Sequence, residues 1–298
     1  MAQGAKEGRR TAAGALAPGL YVVATPIGNA RDITLRALDV LGGADAIACE
    51  DTRVTARLLG LHGMTGKGRL VPYHAHNEAR ETPRLLARLE AGAAVALVSD
   101  AGTPLLSDPG ARLVAAARAA ALTVHAVPGP SALTAALSVA GIAMERFHFA
   151  GFLPARGGAR RRAVEELKDI PASLVLLEAP HRIAATLADL AAALGGAREA
   201  AVARELTKLH EEIVRGPLAD LAERYAAAAP KGEIVLLVAP PAPSEPAGAD
   251  RLDAALADAL ARASVKEAAH EVAAALGLPR REVYARALAL KGARDGAS

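Results

Sequence analysis

The sequence predicts an α/β protein of two lobes with a cofactor cleft between them, followed by a small helical module. Three observations predict it. Short apolar runs of strand length alternate with stretches whose leucines fall at helical spacing. That cadence stops at Pro128-Gly129-Pro130-Ser131 and then restarts with a second set of strands. A proline-rich stretch, PPAPSEPAGA, separates both sets from a segment with a helix-capping signature.

The elements follow in order. Residues 1–18 are basic and rich in Gly and Ala, and read as a mobile tail carrying Lys6, Arg9 and Arg10. The first lobe, 19–129, opens with a strand from Leu20 to Ala24 that ends in TPIGN. Asp32 and Thr34 then open a helix in which Leu35, Leu38 and Leu41 share a face. Ala46 to Cys49 is the next run and ends in Glu50-Asp51-Thr52-Arg53. Leu70 to Tyr73 leads into His74-Ala75-His76-Asn77-Glu78 and an amphipathic helix through Leu85, Leu86 and Leu89. Val95 to Val98 has the pattern of a strand buried on both faces. It breaks into Ser99-Asp100-Ala101-Gly102-Thr103-Pro104, and a second turn, Ser107 to Gly110, precedes a helix over Ala111 to Ala121. Thr123 to Val127 completes the set.

In the second lobe, 130–240, the strands are Phe147 to Ala150, Ser173 to Leu177, Ala200 to Ala203 and Ile234 to Ala239. The repeated alternation predicts crossover units and mostly parallel sheets. Residues 241–249 are the linker and 250–298 the helical module. There Ser264 and Glu267 match a capping box, Gly277 suits a helix end and Pro279 a helix start. The result is a helix-turn-helix outline, a form that more often serves packing than nucleic-acid binding.

Composition excludes several classes. No apolar run is long enough to span a bilayer, and the first residues lack the apolar core of a secretion signal. One cysteine, Cys49, excludes an internal disulfide. With scattered histidines it leaves no metal-ligand cluster, so no metal is expected. The formal charge of +3 means that an anionic partner must be met locally. These features point to a cytoplasmic protein.

Chemistry is expected where strands end. TPIGN, SDAGTP, PGPSA, GFLP and EAPHR all place small, polar or conformationally special residues there, as an extended ligand lying across strand ends requires. Read alone, each serves equally as a turn. The glycine fingerprints of dinucleotide and phosphate loops are missing. Asp51 and Arg53 suit a substrate phosphate or a local ion pair, and His74, His76, Asn77 and Glu78 suit base work or a helix-capping turn. The charged run from Arg204 to Glu212 reads as a solvated helix face. Arg156, Arg160, Arg161 and Arg162 read as a flexible basic loop able to contact phosphates. Seven aromatics, four Tyr and three Phe, are too few for a base-stacking platform.

At this point the chain resembles a known family. LYVVATPIGNARDITLRALDVL, CEDTR, the HxHNE element, VSDAGTPLLSDPG, VPGPSA, FxGFLP, EAPHRI and RELTKLHEE occur in the order found in the ribosomal RNA small subunit methyltransferase I family. That family is a branch of the tetrapyrrole methylase, or class III, fold. The resemblance covers about Leu20 to Pro240 and extends more weakly into the helical module. It implies transfer of a methyl group from S-adenosylmethionine to the 2′-oxygen of a decoding-centre cytidine in 16S rRNA, by a homodimer. It also implies a cofactor lying along Pro26, Ala101, Gly102, Thr103, Leu106, Ser131 and Ala132, with further contacts near Phe152, Glu178, Ala179 and Gly232. Asp100, Asp51 or His76 would remove the ribose proton, and Arg53 or Lys208 would orient the RNA. Ala75 departs from the family pattern, where an acidic residue is expected. Two other readings compete: a corrin or precorrin C-methyltransferase, and a non-catalytic RNA-binding assembly factor.

Overall fold

The computed structural model describes residues 16–143, 145–241 and 249–295. Most of the expected tail, with Lys6, Arg9 and Arg10, and linker residues 242–248 lie outside them. The chain forms two compact units, Met1–Pro240 and Pro241–Ser298.

The larger unit contains two five-stranded sheets. The first uses β1 (Gly19–Val23), β2 (Ala46–Cys49), β3 (Leu70–Pro72), β4 (Ala94–Val98) and β5 (Val124–Val127) in the order β3-β2-β4-β1-β5. Every pair in it is parallel. Its crossovers are the helices α1 (Leu35–Gly43), α2 (Thr52–Leu61), α3 (Glu78–Glu90) and α4 (Ala111–Ala119). The central strands are apolar throughout because both faces are covered: all five residues of β4 are buried. Tyr21, Ile47, Ala96 and Val98 pack on one face; Leu20, Leu97, Leu85 and Leu113 pack on the other. Each such Val or Leu contributes about 1.5–3 kcal/mol relative to exposure. Cys49 is fully buried in this sheet. The α1 start is fixed by Thr34, whose hydroxyl accepts the Ala37 N–H at 3.1 Å.

After α5 (Ala132–Val139), the second sheet is built from β6 (Phe147–Phe152), β7 (Ser173–Glu178), β8 (Glu199–Arg204), β9 (Glu212–Pro217) and β10 (Ile234–Val238). Its helices are α6 (Gly157–Leu167), α7 (Ile183–Leu194) and α8 (Leu218–Ala227). The order is β6-β7-β10-β8-β9. Here the expectation of a mostly parallel sheet is corrected. Only β6 and β7 run parallel; β10 is antiparallel to both β7 and β8, and β8 forms an antiparallel pair with β9. The β10 run is buried at every position, and a strand covered on both faces carries no sequence mark of its neighbours' direction.

Two further expectations change. The charged run after β8 is no helix face but a tight loop followed by the additional strand β9. The Arg-rich segment is not a loop but the first turns of α6.

In the smaller unit, α9 (Ala249–Leu260), α10 (Val265–Leu276) and α11 (Arg280–Asp295) bury Leu256, Ala269, Val272, Val283 and Ala287 among themselves. The Ser264–Glu267 capping box is present, and Gly277 ends α10 in the left-handed conformation with φ 64°. Arg286 grips Asp253 through two bonds of 2.5 and 2.7 Å, tying α11 to α9.

Candidate active site

Where the strand ends of the two sheets face each other there is an open cleft of about 420 Å³. The first lobe lines it with Ile27, Asp100 to Thr103 and Leu106 to Asp108. Ser131, Ala132 and Leu133 follow, and the second lobe adds Phe149, Phe152, Leu177 to Pro180, Ala203, Leu206 and Gly232 to Val235. Its walls are mainly apolar with a few placed polar groups, the usual character of a small-molecule site.

The first wall is made of interlocked turns. Thr25 and Gly102 exchange backbone hydrogen bonds, each 2.9 Å long, as an isolated antiparallel bridge. The Thr25 hydroxyl donates to Ser99 O at 3.0 Å, and the Thr103 hydroxyl donates to Pro130 O at 3.1 Å. Three strand ends, after β1, β4 and β5, therefore hold one another. Gly102 is buried with φ 80°, a conformation costing roughly 1–2 kcal/mol for a residue with a Cβ.

The second wall is fastened to the first by a clasp. Asn29 N–H donates to the Thr207 hydroxyl at 3.1 Å. A Cβ on Gly28 would stand 2.4 Å from Lys208 Cγ and 2.8 Å from Thr207 Oγ1, so only glycine lets the chains approach. Thr207 is itself left-handed, with φ 66°, and its N–H donates to Glu211 at 2.6 Å. Lys208 Nζ bridges Glu205 at 2.8 Å and Glu233 at 2.9 Å. Burial pulls the Lys208 pKa down, but those two bonds outweigh it and hold it above its ordinary value. The Lys208 bond draws the Glu205 carboxyl below its usual range.

The expected residues divide cleanly by position. Ala101, Gly102, Thr103, Leu106, Ser131, Ala132, Phe152, Glu178, Ala179 and Gly232 line this one cleft. Pro26 does not; its neighbour Ile27 does. The Glu178 carboxylate is engaged within the protein. It accepts from Ala179 N–H at 2.8 Å and Thr186 Oγ1 at 2.5 Å, and Arg182 Nε lies 3.1 Å away.

Of the three expected bases, Asp100 lines the cleft while Asp51 and His76 do not. Asp51 is the N-cap of α2, and its carboxylate takes Arg53 Nη2 at 2.6 Å. The Arg53 side-chain bond and the Arg53 N–H hold its pKa down at about 2, which makes it a poor proton acceptor. His76 is exposed, edge-on to His74 at 6.0 Å. Asn77 ties that turn together, accepting from His74 N–H at 2.8 Å and donating to Pro72 O at 3.0 Å. Among the described residues no group of three or more His, Cys, Asp or Glu could hold a metal ion.

The same architecture occurs in a uroporphyrin-III C-methyltransferase from Thermus thermophilus, with a TM-score of 0.54 at 24% identity, covering 74% of this chain and 94% of that one. Residues 19–222 match the model of the Tetrapyrrole (Corrin/Porphyrin) Methylases, and residues 245–291 match that of the RsmI C-terminal HTH domain. The ribosomal RNA small subunit methyltransferase I of Mesorhizobium japonicum is 49% identical over 94% of this chain and 96% of its own length. This chain belongs to the ribosomal RNA small subunit methyltransferase I family. Its counterpart in Escherichia coli O157:H7 is 43% identical over 92% of this chain and 96% of its own.

The basic residues expected to meet RNA all lie outside the cleft. Arg53, Arg156, Arg161 and Arg162 are exposed. Arg160 corrects the expectation for the group. It is 8% exposed and its Nε lies 2.7 Å from Asp189 on α7, so it anchors α6 and is withdrawn from solvent. Lys208 is spent on the clasp. Sequence reasoning missed Asp108, Phe149, Leu206 and Val235 as cleft residues. Asp108 stood in plain view within SDPG, where its neighbours Pro109 and Gly110 marked only a turn.

Proposed function

We propose that this protein transfers a methyl group from S-adenosylmethionine to the 2′-oxygen of a decoding-centre cytidine in 16S rRNA, in the cytoplasm. The observation that carries this is 49% identity across nearly the whole length of a ribosomal RNA small subunit methyltransferase I. The site's chemistry fits the cofactor. The cleft pairs apolar walls with the backbone of Ala101 to Thr103 and the carboxylate of Asp100, a setting suited to a nucleoside bearing a sulfonium cation. Leu106, Ser131, Ala132, Phe152, Ala179 and Gly232 would complete its enclosure. When bound, S-adenosylmethionine supplies an electrophilic methyl group.

The chain's own work is positioning. Interlocked turns keep the first wall fixed while the clasp sets the distance to the second, and holding reactants in line lowers the barrier substantially. Arg156, Arg161 and Arg162, exposed at the start of α6, suit the phosphates of RNA, with Arg53 beside the end of β2. Assembly as a homodimer is supported by Phe147, 47% exposed on the edge strand β6, an apolar group that pairing would cover. Light scattering is expected to give twice the monomer mass.

The deciding experiment is mass spectrometry of 16S rRNA from cells with and without the protein. One 2′-O-methylcytidine is expected to disappear in its absence, and an unchanged pattern would refute the assignment.

A further inference from the structure

The two aspartates of the cleft differ in their surroundings. Asp100 Oδ1 is already occupied by the Asp51 N–H at 3.0 Å. Asp108 lies in the turn before α4, next to two non-glycine residues with left-handed backbone, Leu105 at φ 74° and Ser107 at φ 70°. Such conformations persist only where surrounding structure imposes them, and they cluster at functional sites. Here the turn presents Ser107 and Asp108 to the cleft. Gly151, at the bulge in β6, faces it from the other lobe: a Cβ there would lie 3.4 Å from Ser107 Oγ.

Among the described residues, none of the groups bearing on Asp108 is a cation. They are Glu50 after β2, Asp100 after β4 and the Ser99 hydroxyl. Arg112, four residues further along in α4, pairs with Glu78 of α3 at 3.6 Å instead. A ribose hydroxyl is a poor acid, and its attack is helped by an acceptor whose proton affinity suits neutral pH.

We propose that Asp108 is the proton acceptor for the ribose 2′-hydroxyl, an inference that rests on the methyl-transfer reading above. As the ribose oxygen bonds to the methyl carbon, the carbon–sulfur electron pair stays on sulfur and the hydroxyl proton passes to a carboxylate oxygen of Asp108. A methyl ether, a neutral thioether and a protonated carboxyl result, so charge and atoms balance.

The electrostatics agree with the geometry. Burial, then the nearby Glu50 carboxylate, pushes Asp108 up to about 6. A hydrogen bond from the Ser99 hydroxyl pulls the other way, although that hydroxyl also faces the Ala101 and Gly102 carbonyls at 3.2 and 3.1 Å. Asp108 is thus mostly ionised at pH 7 yet more basic than an ordinary carboxylate.

A raised carboxyl pKa also bears on stability. The protonated group favours the folded state, and that contribution is lost as pH rises from the unfolded value near 4 through about 6. Asp108→Asn is therefore expected to melt above wild type at pH 8, with the gap closing towards pH 4. This readout needs no substrate.

The decisive test is single-turnover transfer of labelled methyl groups to small ribosomal subunits lacking the modification, from pH 5 to 9. Wild-type rates are expected to fall tenfold per pH unit below about 6. Asp108→Asn is expected to lose about 10²–10⁴-fold in rate and to lack that acidic limb, with S-adenosylmethionine affinity by calorimetry little changed. Wild-type transfer together with an unimpaired Asp108→Asn rate would overturn this assignment alone. No wild-type transfer would overturn the methyl-transfer reading, and this role with it.

Discussion

The first lobe approaches the cleft with the carboxyl ends of a fully parallel sheet, whereas the second brings the carboxyl ends of β6, β7 and β8 together with the amino end of β10. The walls differ accordingly. On the first side, the turns after β1 and β4 are bonded backbone to backbone, the Thr103 hydroxyl ties in the turn after β5, and conformation sets the surface. On the second, side chains do it: Phe149, Phe152 and Leu206 face the cleft, and ion pairs brace the scaffold behind them. The first lobe should therefore be sensitive to backbone freedom, and the second to loss of individual side chains.

The largest break in that contrast is expected at Arg160. Its pair with Asp189 is mostly buried, at 10% and 14% side-chain exposure, so Arg160→Ala leaves a carboxylate stranded and should cost about 3–5 kcal/mol by denaturant unfolding. Gly102→Val tests the opposite wall. A β-branched residue at φ 80° should cost about 1–3 kcal/mol and open the Thr25 bridge. Calorimetry should show S-adenosylmethionine binding falling with it. Gly28→Ala probes the clasp between the two. Crowding against Lys208 and Thr207 should cost about 1 kcal/mol and weaken cofactor binding with little change in melting of the separate helical unit. Smallest is the effect of Arg161→Ala or Arg162→Ala. Each should lower the salt slope of RNA binding by about one and leave cofactor affinity intact.

The same contrast explains what was legible in the sequence. First-lobe strands announce themselves because each apolar run ends at a distinctive turn, and parallel crossovers need the intervening helices. In the second lobe, Ile234 to Val238 is buried on both faces and would read identically in either direction. Strand β9 was hidden because Glu212 and Arg215 dilute its apolar signal, as suits an edge strand with few fully covered positions. Arg160 read as solvated because its partner, Asp189, is 29 residues away, beyond any local pattern. Asp108 shows the same limit. Its turn-forming role is local and readable; its placement beside Glu50 and Asp100 arises only when β2 and β4 become neighbours.

The lone thiol of Cys49 turns the first lobe into its own reporter. It is fully covered within β2, and burial pushes its pKa up, so a thiol-capturing reagent reaches it only when that sheet opens. Because the chain has a single cysteine, every labelled molecule counts one opening of the first lobe and none of the second. Comparing labelling rates with global unfolding would show whether the lobes separate before they melt. A cofactor that holds both walls should slow labelling even though it touches neither β2 nor its thiol.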